Sequence, residues 1–310
     1  MYDPIKPYKK QILDAIKKTW KTPFVTVKSG VYPVITKKFD FPEVDHTDGI
    51  GTKGYYHWKA GTLKNAVIDA LAMNLNDLAM ARAVPYKLQN HITVPVEDER
   101  VLKTVQFLAA ECKKRKIAIT GGENSFHENI DAIDISITVS GFVKKPTNNR
   151  FKIGDTLVGL QSSGIHSNGF TLVNKLFGDE IRPEFLEPTR IYLDQVLDLV
   201  SKHKVNGMMH ITGGSFSKLK ELLIDSAAKI NNYHRLGPQE IFYELYRKGV
   251  VDKKMYTTFN CGIGFVLSTN KTSAEKIVSK FNRTAIIGEV VAGSGKVIID
   301  SFFSKTKVVI

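Results

Sequence analysis

Short apolar runs of strand length alternate along this chain with longer stretches in which apolar residues recur every three or four positions. That alternation predicts α/β layers and excludes an all-β or all-α chain. It occurs twice. In the first half the pattern predicts strands at Val25–Val27, Val34–Lys38 and Glu43–Thr47, a helix over Thr62–Ala83 and a strand over Lys87–Val94. A helix Glu97–Lys114, a strand Ile117–Thr120 and a long strand Ala132–Val143 follow. The polar stretch Lys145–Arg150, with its proline and two asparagines, reads as a linker, which divides the chain into domains 1–148 and 149–310.

The second half starts with a strand Thr156–Leu160 and continues through helices at Gly169–Phe177, Ile191–Lys202, Phe216–Leu223 and Pro238–Lys248. It closes with a strand Gly262–Ser268, a helix Ser273–Phe281 and two strands, Ile286–Val291 and Lys296–Ile299. Gly293-Ser294-Gly295 between the last two reads as a hairpin turn in preference to a phosphate loop.

Composition narrows the class. With 310 residues, 43% of them hydrophobic, the chain can bury two cores. No run of eighteen apolar residues occurs, and Met1–Trp20 alternates lysines with Ile12, Leu13 and Ile16, so a cytoplasmic protein without a secretory leader is expected. Two cysteines far apart give neither a disulfide framework nor a zinc spacing. The formal charge of +13 suits nucleic acid, nucleotides and phosphorylated metabolites alike. Its lysines are scattered in pairs such as Lys9-Lys10 and Lys113-Lys114, without a basic block or an aromatic-interleaved motif, which argues for solvated surface charge and against nucleic acid.

Five short segments carry candidate chemistry. Thr47–Lys53 follows a predicted strand and supplies a metal-binding aspartate (Asp48), two turn glycines (Gly49, Gly51), a hydroxyl (Thr52) and a cation (Lys53). It is not a Walker loop, and read alone an Asp-Gly turn is more often just a turn. On the next helix Asn65, Asp69 and either Asn76 or Asp77 fall on one face of an otherwise apolar rod, either a functional stripe or a solvated one. Gly121-Gly122-Glu123, after a predicted strand, sits where open α/β sheets bind ligands, or is a β-turn. Ser162–Gly169 and His210–Ser215 place glycine and hydroxyl residues between strand and helix, where N–H groups grip anions. Read singly, Ser167 or Asn168 is as well a plain N-cap and His210 a core histidine.

Taken in order, these strings resemble the aminoimidazole ribonucleotide synthetase family. They are Thr47–Lys53, Asn76-Asp77-Leu78 with Pro85 beyond it, Gly121–Glu123, Ser162–Gly169, Pro188–Tyr192, His210–Gly214 and Phe259–Gly264, covering the chain from about Asp45 onward. The resemblance implies a two-domain α/β protein whose amino-terminal domains pair in a homodimer and hold ATP and Mg²⁺, while the second domain binds substrate. It implies ATP-dependent ring closure of formylglycinamidine ribonucleotide, with release of ADP and phosphate. Carried onto this chain, Asp48, Asp77 and Glu123 hold metal and Lys53 a phosphate. Gly49, Gly51, Thr52, Asp69, Asn76, Gly121 and Gly122 line the nucleotide. Ser163, Gly164, His166, Ser167, Asn168, Thr189, Arg190, His210, Thr212, Gly213 and Gly214 face the substrate, with Arg190 and Thr189 near the ribose phosphate. His166 is the first proton-transfer candidate, His210 the second.

The chain departs from the family at three points. A glycine-rich segment is absent before Asp45, Asn124 stands where threonine is usual, and Ser215 replaces a third glycine. Two other readings stand beside this one. One is a different ATP-using member of the superfamily, such as thiamine-phosphate kinase, selenophosphate synthetase or the hydrogenase maturation dehydratase. The other is a nucleic-acid-binding or regulatory protein on the same scaffold.

Overall fold

The computed structural model describes residues 8–30 and 32–310, so the start of the lysine-bearing first segment lies outside the described residues. The chain divides into two compact units. One contains Ala83–Lys145 and the described residues up to Leu78; the other contains Ala79–Arg82 and Pro146–Ile310.

The first unit runs α1 (Lys9–Lys17), β1 (Val25–Lys28), β2 (Val34–Lys37), β3 (Glu43–Gly49), α2 (Lys53–Ala60), α3 (Leu63–Met80), β4 (Val84–Val94), α4 (Glu99–Lys114), β5 (Ala118–Phe126) and β6 (Asp134–Phe142). β1 and β2 form a two-stranded ribbon, and the main sheet has the order β3-β6-β4-β5. Alternation in β6 is clean: Ile135, Ile137 and Val139 are buried, whereas Asp134, Ser136 and Thr138 are not. Such a period of two gives a sheet with one packed face. Residues in α3 are buried nearly all round, which explains the scarcity of charge along it. Asn74 of α3 donates to Ala70 O (3.0 Å) and Asp48 O (3.1 Å), locking the helix to the end of β3.

The second unit runs β7 (Thr156–Gln161), α5 (Phe170–Phe177), α6 (Pro183–Leu186), α7 (Leu193–Lys202), β8 (Val205–His210), a 3₁₀ helix (Ser215–Leu222), β9 (Ser226–Ile230), α8 (Glu240–Arg247), α9 (Asp252–Thr258), β10 (Ile263–Thr269), α10 (Lys271–Lys280), β11 (Thr284–Ala292), β12 (Val297–Asp300) and β13 (Lys307–Val309). Its seven-stranded sheet has the order β13-β12-β9-β11-β7-β10-β8.

Two elements differ from expectation. β11 and β12 are not a hairpin: β9 lies between them, antiparallel to β11 and parallel to β12. The glycine turn therefore carries the chain past β9 instead of folding it back on β11. Gly121-Gly122-Glu123 is not a loop after a strand but the middle of β5, paired with Gln89–His91 of β4 beyond a bulge at Thr120. Among the described residues no helix is long and apolar enough to cross a membrane.

Candidate functional site

In the first unit the chemistry gathers around the junction of β3, α2 and α3. β3 exposes Glu43, Asp45 and Thr47 and half-buries Val44, His46 and Asp48. His46 is gripped by α3: its Nδ1 lies 3.0 Å from Asn74 Oδ1 and its Nε2 3.1 Å from Asp77 Oδ2. The Asp77 carboxylate, helped by Asn74 and Asp48, raises the His46 pKa above its ordinary value against the opposing effect of burial. Asp48 and Asp77 thus flank one imidazole. The Asp48 carboxylate also accepts from Gly49 N at 2.7 Å, tightening the turn into α2.

Lys53, expected at a phosphate, points the other way. It is 0% exposed, and its Nζ lies 2.8 and 3.1 Å from the two oxygens of Asp69, itself 0% exposed. His57 Nε2 meets the same carboxylate at 2.8 Å, and Thr62 Oγ1 lies 2.7 Å from His57 Nδ1. Burial acts to raise the Asp69 pKa, but the Lys53 charge and the His57 contact outweigh it and hold the carboxyl well below its usual range. Burial lowers the His57 pKa against the opposing pull of the Asp69 carboxylate. Lys53, His57 and Asp69 form an internal brace between α2 and α3, because a buried ammonium needs a carboxylate more than it can reach a solvent-borne ligand. Asn76 is likewise fully buried.

Glu123 is separated from the other two acids. Cross-strand partners run Asp48–Ile137–Asn90–Gly122 in one row and Gly49–Ser136–His91–Glu123 in the next. Adjacent rows face opposite sides of a sheet, so Glu123 points away from the side on which Asp48 and His46 meet α3, and three strand spacings of about 4.8 Å separate the strands. Its carboxylate accepts from Asn124 N. Among the described residues no three acidic, histidine or cysteine side chains cluster as a metal cage. Asp48 and Asp77 thus both act on His46, whereas Glu123 lies apart. Gly122 packs its bare Cα on Asn90, where a Cβ would lie 2.7 Å from the amide oxygen.

The second unit assembles its predicted residues more completely. The loop after β7 carries His166, 2% exposed and at φ +66°, a left-handed conformation rare for a residue with a side chain. Ser163 N donates to His166 Nε2 (3.2 Å), which leaves the proton of the neutral ring on Nδ1. Ser163 Oγ donates to Pro188 O (2.6 Å), and Ser167 Oγ lies 2.8 Å from Thr189 Oγ1, so the 188–190 segment is latched to the loop. Arg190 donates to Gln161 O (3.3 Å) and Gln195 Oε1 (3.2 Å), and burial lowers its pKa. Asn168 donates to Thr212 Oγ1, and a Cβ added at Gly213 would lie 3.4 Å from the oxygen of the same amide.

His210, the second proton-transfer candidate, is fully buried at the end of β8, its ring stacked on Phe265 and edge-on to Tyr192. That is a core position. Ser215, where a third glycine was expected, keeps glycine-like geometry at φ +47° and donates its hydroxyl to Phe259 O (2.6 Å). Sequence reasoning missed His46, His57 and Asn74 in the first unit, and Tyr192 and Asn260 as working parts of the second. Tyr192 and Asn260 lie in the family-like segments Pro188–Tyr192 and Phe259–Gly264, where nothing marked their roles; His46 and His57 sit within four residues of Thr47–Lys53.

Two α/β units, each presenting glycine-rich turns at the ends of strands, define an AIR synthase related architecture. Residues 40–143 match the family profile described as "AIR synthase related protein, N-terminal domain", and residues 152–301 that of "AIR synthase related protein, C-terminal domain". The phosphoribosylformylglycinamidine cyclo-ligase of Methanococcus vannielii is 37% identical over 288 residues, covering 85% of this chain and 81% of the relative. That of Saccharolobus solfataricus is 32% identical over 305 residues, covering 94% and 92%. Among solved structures, hydrogenase maturation protein HypE in complex with ATP superposes with a TM-score of 0.68 at 14% identity, covering 99% of this chain and 95% of that one. The chain belongs to the phosphoribosylformylglycinamidine cyclo-ligase family of AIR synthase related proteins.

Proposed function

We propose that this chain closes the imidazole ring of formylglycinamidine ribonucleotide at the expense of ATP, releasing ADP, phosphate and 5-aminoimidazole ribonucleotide in purine biosynthesis in the cytoplasm. The observation that carries this reading is the near full-length similarity to cyclo-ligases, at a level well above the 14% identity shared with the HypE fold relative. That difference favours the cyclo-ligase over other ATP-using members of the superfamily. HypE was solved with ATP, which supports nucleotide binding by this scaffold.

An amide oxygen is a poor leaving group, and phosphorylation makes it a good one. In this reading the γ-phosphoryl group passes to the formyl amide oxygen, the amidine nitrogen attacks the carbon, and phosphate departs. The protein's task is positioning and charge neutralisation. The first unit holds ATP through the turn at Asp48, Gly49, Gly51 and Thr52. Asp48 and Asp77, two hard oxygen donors beside one imidazole, suit Mg²⁺, which characteristically takes one or two carboxylates together with nucleotide phosphates. The ion would supply charge neutralisation at the transferring group. Lys53 supports the turn from within and is assigned no phosphate contact. The second unit binds the ribonucleotide along Ser163–Asn168, Thr189-Arg190 and Thr212–Gly214.

The sheet of the first unit leaves one face polar, with Thr47, Gln89, His91 and Glu123 exposed. We assign this face to pairing with a second copy, which would bring Glu123 of each chain to the partner. Purified protein should release ADP and phosphate only when formylglycinamidine ribonucleotide is present, and Asp77→Ala should abolish the release while circular dichroism stays unchanged. Full turnover by Asp77→Ala would remove the metal assignment; ADP release indifferent to the ribonucleotide would remove the reaction.

A further inference from the structure

We propose that Asn260 is a positioning residue, which holds the Ser162–Gly169 loop in the one backbone conformation that seats the His166 ring beneath it and turns the loop's N–H groups to substrate. This rests on the reading of that loop as the ribonucleotide site.

Asn260 is 3% exposed, and each end of its amide is committed. Nδ2 donates to Gly164 O at 2.8 Å and to Ile165 O at 3.1 Å, while Oδ1 accepts from Gly262 N at 3.0 Å. Gly164 and Ile165 immediately precede His166. Fixing the carbonyl of residue 165 fixes the peptide plane about which the φ of His166 is measured, and that φ is the strained +66°. A left-handed residue with a side chain persists only where its surroundings over-determine it. Asn260 supplies that determination.

The rest of the Phe259–Gly264 segment acts as a template for the same loop. Gly262 O accepts from Ser162 N at 2.9 Å, fixing the loop's first residue. Gly264 forms the floor under the imidazole: a Cβ there would lie 2.6 Å from His166 Cε1 and 2.0 Å from the Tyr192 hydroxyl oxygen. Phe259 closes the far end, its ring filling the space that a side chain at Gly169 would need. Each contact aims at the backbone or ring of the loop, and the loop's own hydrogen bond from Ser163 N to His166 Nε2 depends on the result.

Asn260→Asp keeps the acceptor for Gly262 N but turns a carboxylate oxygen toward two carbonyl oxygens, and Asn260→Ala removes all three bonds. Either variant should lower kcat/KM for formylglycinamidine ribonucleotide roughly 30- to 100-fold, with a raised KM for that substrate and a KM for ATP within about twofold of wild type. Gly264→Ala, which reaches the imidazole from below, should give the same split. The ¹⁵N spectrum of the His166 ring, assigned with His166→Gln, should show a neutral Nδ1–H tautomer in the wild type and a tautomer mixture in Asn260→Asp. Unchanged ring signals would overturn the proposal. So would a loss of turnover matching the loss of folded protein with the ribonucleotide KM unmoved. A wild type that does not turn over this ribonucleotide would defeat the assigned reaction instead, and the ring spectrum would still decide the role of Asn260.

Discussion

Replacing Asp69 by asparagine keeps the size of the side chain and an acceptor for His57, but takes the carboxylate away from the Lys53 ammonium at 0% exposure. At 2.8 Å the Lys53–Asp69 pair attracts by about 6 kcal/mol at an effective dielectric of about 20. Desolvation of both ions offsets much of that, so the pair's net worth is small, yet removing one partner costs about 3–5 kcal/mol because the other charge stays buried. A typical domain has only about 5–15 kcal/mol to lose. Both tryptophans of the chain, Trp20 and Trp58, lie in the first unit, Trp58 next to His57. Urea unfolding followed by their fluorescence should therefore report this unit, with the midpoint falling by about 2 M for a slope near 2 kcal/mol/M. Because the Asp69 carboxyl is held below its ordinary pKa, its contribution is present above about pH 4 and is lost as pH falls through the lowered folded value. Asp69→Asn should abolish that acid slope. Adding Lys53→Met to it removes the buried charge and should restore most of the stability. An Asp69→Asn protein within about 1 kcal/mol of wild type, or a double variant no better than the single, would refute the reasoning.

His234 and Gly54 offer two further tests. Burial lowers the His234 pKa to about 4, so the stability it contributes is complete above pH 6.5 and fades as pH falls toward that value. His234→Gln should flatten this part of the stability profile by about 2 kcal/mol, after allowance for the ring's partial exposure, as read by denaturation at pH 4.5 and 7. At Gly54 a Cβ would lie 1.9 Å from Ile133 O, a backbone atom that has no rotamer to yield, so Gly54→Ala should cost about 2–3 kcal/mol in the tryptophan-monitored transition.

The alternation of buried and exposed residues made β6 and the start of β3 legible, and the lack of charge in α3 announced its burial. Serine and alanine at the start of Ser226–Ile230 gave no strand signal, and without β9 the last two strands looked like a hairpin. Glycines at 121 and 122 read as the end of a strand, at a ligand site or a turn, because glycine usually marks one; here pairing with β4 overrides propensity. In the site, residue types were visible but directions were not. Lys53 looks like a phosphate ligand until Asp69, sixteen residues on, is known to face it. Ser162–Asn168 kept its expected company, since neighbouring strings supplied the latches at Pro188, Thr189 and Thr212.

The position of β7 has a bearing on biosynthesis. It opens the second unit, yet both its flanks are filled by strands made much later: Val158 pairs with Leu267 on one side and Ile286 on the other, a separation of roughly 100 residues or more, of the kind that slows folding. During translation β7 leaves the ribosome with two open hydrogen-bonding edges and an apolar sequence, and waits for most of the unit to emerge. A product terminated before Ile263 would carry that strand permanently unpaired, an invitation to self-association that chaperones would have to answer.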